Sequence, residues 1–141
     1  MLKKGDIMKA LHALALTLTI TSLIGCSSQN SEKFLGCYAF QKGQRSDLRI
    51  ETKDGKFFVS IREGDGWKNI DGLHVGTEKE LSQLFGSDSK KIKANLVGDK
   101  GPFGIFNVKE GEVYGGKQAQ SEYISFLMNR GGSLYKVKCE N

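Results

Sequence analysis

A small antiparallel β-barrel of about eight strands with one short helix is the fold this sequence predicts; a two-sheet sandwich is the alternative arrangement of the same strands. Three observations carry the prediction. From residue 34 onward, apolar residues recur at every second position through most of the chain, the period of half-buried strands. Glycine is abundant and proline nearly absent, 18 against 1, which suits many tight turns between strands. Cys37 and Cys139 lie near the two ends of this region, and a bond between them would clamp the last strand to the first, as closure requires.

The elements follow in order. Residues 34–40 place Leu35, Cys37 and Ala39 on one face and Phe34, Tyr38 and Phe40 on the other, so both faces are expected to be covered. Leu48 and Ile50 alternate with Asp47, Arg49 and Glu51, and Phe57, Val59 and Ile61 with Lys56, Phe58, Ser60 and Arg62. Lys53-Asp54-Gly55 between these runs is a hairpin signal. Residues 63–76 read as a glycine-rich loop holding Trp67 and His74, with short strands at 67–70 and 73–75. Thr77-Glu78-Lys79-Glu80 is a capping box, Leu81, Leu84 and Phe85 follow at helical spacing, and Gly86 suits the position after the helix. That helix is expected to pack on the sheet or plug one end of a barrel. Strands resume at 91–96 and 103–108, with a turn at 97–101; residues 112–114 form another, 115–118 a loop, and 121–128 a further strand. In the last strand Tyr135, Val137 and Cys139 are expected to face inward, with Lys136 and Lys138 outward.

The first 25 residues belong to none of this. Lys3, Lys4 and Lys9 precede an apolar run over residues 10–24, short of the ~20 residues that span a bilayer. It ends in Leu23-Ile24-Gly25-Cys26, which resembles the lipobox of bacterial lipoproteins. The true start is Met1 or Met8. The resemblance implies a signal peptide over 1–25, a lipid on Cys26, membrane attachment through that lipid, and an oxidising envelope compartment. Two or more acyl chains suffice for stable anchoring. Ser27 follows the cysteine where an Asp would retain the protein in the inner membrane, so the outer membrane is expected, on either face. Residues 26–33 then form the lipidated end and a polar tether, and 34–141 the β-rich domain.

With one cysteine lipidated, Cys37 and Cys139 remain as an even pair and read as a disulfide. Loss of Lys3, Lys4, Lys9 and Asp6 takes the net charge from +5 to +3, too mild and scattered for nucleic-acid binding. His74 is the one histidine after residue 25. A nucleophilic triad would have to use it, no G-x-S-x-G is present, and Ser87-Asp88-Ser89-Lys90 lacks the companion motifs of an S-x-x-K enzyme. Glu63, Asp65, Asn69 and Asp71 are oxygen ligands, but Trp67 occupies the first position of the only calcium-loop register. The expectation is therefore no enzyme, no metal and no cofactor.

What remains is recognition of a protein or another envelope component, with a lipocalin-like carrier of a small apolar ligand as the alternative. Phe58, Trp67, Phe103, Phe106, Tyr114 and Tyr123 are candidates to lie off the core face. Trp67, His74 and Asp65, in the 63–76 segment, are the candidate binding residues, because an aromatic on a loop is a usual contact anchor.

Overall fold

The computed structural model describes residues 30–127 and 130–140. The lipobox, Cys26, the signal segment and Met128 lie outside the described residues. The strands are β1 (Gly36–Ala39), β2 (Leu48–Lys53), β3 (Lys56–Glu63), β4 (Gly66–His74), β5 (Ala94–Gly98), β6 (Phe103–Asn107), β7 (Val113–Tyr114), β8 (Lys117–Gln118), β9 (Tyr123–Leu127) and β10 (Arg130–Val137). Helix α1 (Glu78–Phe85) and a 3-10 turn (Gly86–Lys91) join β4 to β5. Eight strands close in the order β1-β10-β9-β6-β5-β4-β3-β2, an antiparallel meander interrupted only by the small β7–β8 hairpin.

Local chemistry explains the turns. Lys53 pairs with Lys56 across Asp54 and Gly55, whose φ values are +52° and +74°; two left-handed residues make the hairpin turn whose twist matches its strands. Residues 115–118, expected as a loop, contain half a hairpin instead. Gly115 and Gly116 (φ +56° and +81°) turn β7 into β8. At α1, Thr77 Oγ1 accepts from Glu80 N at 3.2 Å while Glu80 accepts from Thr77 N at 2.8 Å, so the capping box forms as its spacing requires.

Two apolar clusters result. The barrel interior holds Tyr38, Leu48, Ile50, Val59, Leu96, Ile105 and Leu134, each 0–2 % exposed. Phe34 completes it, stacking edge-on against Tyr123 at 6.0 Å. The second cluster lies outside the wall. Phe85 of α1 meets Phe106 at 4.7 Å and Phe126 at 5.4 Å, and Tyr114 and Ala119 of the hairpin segment join them. The helix thus packs on the outer face of β5, β6 and β9, and the residue at the barrel end is Phe34.

Two further expectations need correction. Inward and outward positions on the last strand are exchanged. Leu134 pairs with Tyr123 and belongs to the interior cluster, and Lys136 pairs with interior Tyr38. Tyr135 and Val137 therefore face out. Alternation misled because Lys136 sits at the barrel rim: its ammonium lies 5.7 and 5.8 Å from the ring centroids of Tyr38 and Tyr123 and donates to Lys33 O at 2.6 Å. A lysine can cover apolar surface while its charge stays at the edge. The tether is also shorter than residues 26–33. Ser31 is 3 % exposed, Tyr38 Oη donates to Phe34 O at 2.7 Å, and Lys33 O receives Lys136, so the residues from Ser31 on belong to the domain.

The closing seam pairs Cys37 with Val137 and Ala39 with Tyr135. Cys37 is the neighbour of inward-facing Tyr38, so it points outward, and the disulfide to Cys139 forms on that side with 5.1 Å between Cα atoms. Cys37 is nevertheless fully buried. No helix among the described residues is long and apolar enough to cross a membrane.

Candidate functional site

The segment expected as a loop is mostly strand. β3 and β4 pair from Phe57–Leu73 to Glu63–Gly66, with one irregularity beside Val59 and Ser60 where Ile70 is the extra residue. Asp65 sits in the exposed turn at one end of this ribbon, Trp67 just beyond it, and His74 at the far end. Trp67 and His74 lie seven positions apart along the strand, roughly 20 Å, so the three candidate binding residues form two separate features.

Trp67 is the centre of the first. It lies directly across from Arg62, on the outer face that Arg49 shares through its pairing with Ser60. The Arg62 guanidinium stands 4.5 Å and the Arg49 guanidinium 4.8 Å from the indole centroid. Each contact of this kind contributes about 0.5–1 kcal/mol at an accessible site. The guanidiniums are held from behind: Arg62 donates to Ser46 O at 2.7 Å and Ser46 Oγ at 2.9 Å, and Arg49 pairs with Glu51 at 3.2 Å. Ser46 is fully buried. The indole, half-buried, is thereby fixed in one orientation. Arg49 has a carboxylate partner, whereas Arg62 binds only serine oxygens, which leaves the patch positive.

His74 is the centre of the second. Its Nδ1 lies 2.7 Å from Asp99 Oδ1 and its Nε2 3.3 Å from Glu80 Oε1. Both ring nitrogens face carboxylates, so the imidazolium, which donates twice, is the favoured form. The hydrogen bond to Asp99 does most to raise the His74 pKa, with Glu80 adding to it. Glu80 is lowered first by the Thr77 backbone N–H and then by His74. The cluster ties the start of α1 to the β5–β6 turn. Asp99 reaches it by lying over Gly72, where an added Cβ would stand 2.5 Å from Asp99 Oδ2.

The acidic set does not converge. Glu63 pairs loosely with Lys68 at 3.9 Å, Asp65 is exposed, and buried Asp71 accepts from Lys100 N at 3.0 Å with its other oxygen unpartnered. Among the described residues no group of three or more His, Cys, Asp or Glu side chains could hold a metal ion. Of the remaining aromatics, Phe103, Phe106 and Tyr114 are buried and Tyr123 packs on the interior cluster; Phe58 is half-buried beside Gly72.

Sequence reasoning singled out Trp67 and His74 but not their partners. Arg62 was within reach, because a two-residue turn at 64–65 places it opposite Trp67. Asp99 was not: its approach to His74 needs β4 and β5 paired across the intervening helix. Comparisons with protein-family models, curated proteins and solved structures find nothing that matches this chain.

Proposed function

We propose that this protein is a lipid-anchored, non-catalytic recognition module of the bacterial cell envelope, held in the outer membrane by acyl chains on Cys26 and binding a protein partner through the barrel wall around Trp67. The observation that carries the reading is the half-buried indole in contact with the guanidiniums of both Arg49 and Arg62 on the outer wall. Tryptophan and arginine dominate contact energies, and a pre-oriented anchor avoids the entropic cost of ordering on binding. The uncompensated Arg62 favours an acidic segment on the partner. Anchoring rests on the lipobox-like Leu23-Ile24-Gly25-Cys26. Ser31, which is buried in the domain, lies five positions after Cys26, so even a fully extended chain would keep it within about 17 Å of the lipidated residue.

The second reading, a lipocalin-like carrier, is favoured by the strand number, because closed eight-stranded barrels include carriers of one small ligand. In this chain a ligand would have to displace Phe34 and the packed interior, which supports external recognition over carriage.

Two experiments on the full-length protein in its host test the proposal. Palmitate labelling should be lost in Cys26→Ser; retained label would refute the anchor. A photocrosslinking residue at position 67 should yield one discrete adduct, absent when the same residue replaces solvent-exposed Lys53. Adducts alike at both positions, or none at 67, would refute the docking wall. A small-molecule mass carried by the native protein and released on denaturation would favour the carrier instead.

A further inference from the structure

On the side of the barrel opposite β3 and β4, a groove of about 660 Å3 runs along β10 between the β7–β8 hairpin and the loop after β1. This lies in the size range of sites that hold small organic ligands. A smaller hollow of about 160 Å3 continues it beneath the hairpin, sharing Lys117, Gln118 and residues 131–133. The floor is bare for a reason local to β10: Gly131 and Ser133 are the outward positions there, and the Phe126 ring already fills the space of a Gly131 side chain, 2.9 Å from where its Cβ would be.

The lining is chemically specific. Gln41, Gln118 and Gln120 bring amides, and Phe40 and Tyr135 bring rings. Much of the amide capacity is unspent. Gln118 Nε2 donates to Gly111 O and Gln41 Oε1 accepts from Gln44, which leaves Gln118 its oxygen and Gln41 its NH2 group. The Gln120 side chain has no partner among the described residues; only its backbone N–H is engaged, by Ser133 Oγ at 2.8 Å. Phe40 is 43 % exposed, one of few large apolar side chains left in water.

Elimination narrows the ligand. A polyanion would need more than Lys117, the single cation that lines the groove among the described residues. An extended peptide adding as a strand needs a free sheet edge, and β10 is paired on both sides. A purely apolar molecule would strand the amides without hydrogen bonds. A neutral, polyhydroxylated chain with apolar ring faces meets both demands: amides pair with hydroxyls in both directions, and aromatic rings cover the C–H faces. We infer that this groove is a binding site for a neutral oligosaccharide, on a wall separate from the one that carries Trp67. The inference does not depend on the proposed protein partner or on the lipid anchor.

The test is calorimetric titration of the full-length protein, in a non-glycosidic detergent, with the neutral tetrasaccharides chitotetraose and cellotetraose. Saturable binding of at least one is expected, weakened tenfold or more in Phe40→Ala/Gln120→Ala and unchanged in Trp67→Ala. Position 40 is surface-exposed and Gln120 contributes only its backbone to the fold, so the double variant should keep the circular dichroism spectrum of the parent. If it does not, Gln41→Ala alone, also exposed, replaces it with the same expected direction. Binding of neither sugar, or binding untouched by the groove variants, would overturn the inference. A loss confined to Trp67→Ala would move the site to the other wall and overturn it equally.

Discussion

Breaking the Cys37–Cys139 bond removes the one covalent tie across the seam where the barrel closes. The bond links positions 102 apart, and in the chain-entropy treatment a loop of about 100 residues restrains the unfolded chain by ~4.7 kcal/mol at 25 °C. A domain of this size has a stability of roughly 5–15 kcal/mol, so the reduced protein should keep between nearly none and two thirds of it. With about 2.1 cal/mol/K of unfolding entropy per residue, the melting temperature should fall by about 20 °C. The native barrel should survive in mild conditions, because β1 and β10 also pair through Cys37–Val137, Tyr38–Lys136 and Ala39–Tyr135. The assay is guanidinium unfolding followed by Trp67 fluorescence, comparing the oxidised protein, the reduced protein and Cys37→Ser/Cys139→Ser. A loss under 1 kcal/mol in both reduced forms would show that the unfolded chain is already closed by other means, and would refute the loop argument.

Phe34→Ala should cost about 3–5 kcal/mol, because the ring is fully buried at the barrel end; a value near that of an exposed substitution such as Lys53→Ala would place the 31–35 segment outside the core. The His74 cluster should make the docking of α1 depend on pH. Its folded pKa is raised above 6.5, so its contribution is complete below about pH 6.5 and disappears as pH rises through the raised value. For a side chain 41 % exposed the size is about 0.5 kcal/mol or less, and the check is amide exchange in α1 against pH, with the trend absent in His74→Gln. Gly104→Val should destabilise by about 1–3 kcal/mol through overpacking, since a Cβ there would lie 2.6 Å from the Phe106 ring; a melting temperature equal to the parent's would show that this ring can turn aside freely.

Much of this molecule is set by short-range pattern. Alternation in β2 and β3, the Asp54-Gly55 turn and the Thr77–Glu80 box each depend on residues a few positions apart, and each appears where the sequence places it. The Cys37–Cys139 pairing was legible from cysteine number and the expected address alone. The proposed lipid on Cys26 and the proposed envelope location rest on the sequence by itself. Tertiary structure decided what depends on distant neighbours. Lys136 reads as an outward residue until the Tyr38 and Tyr123 rings and the Lys33 carbonyl gather around its ammonium. Ser31 reads as part of a tether until the folded domain buries it. Trp67 and His74 stood out as residue types, but Arg49, Asp99 and the groove along β10 exist only once strands far apart in sequence lie side by side. The physical reason is the same in each case: periodicity and capping are local free-energy terms written into neighbouring residues, whereas burial at a rim, ion-pair geometry and groove shape arise only when separate elements share space.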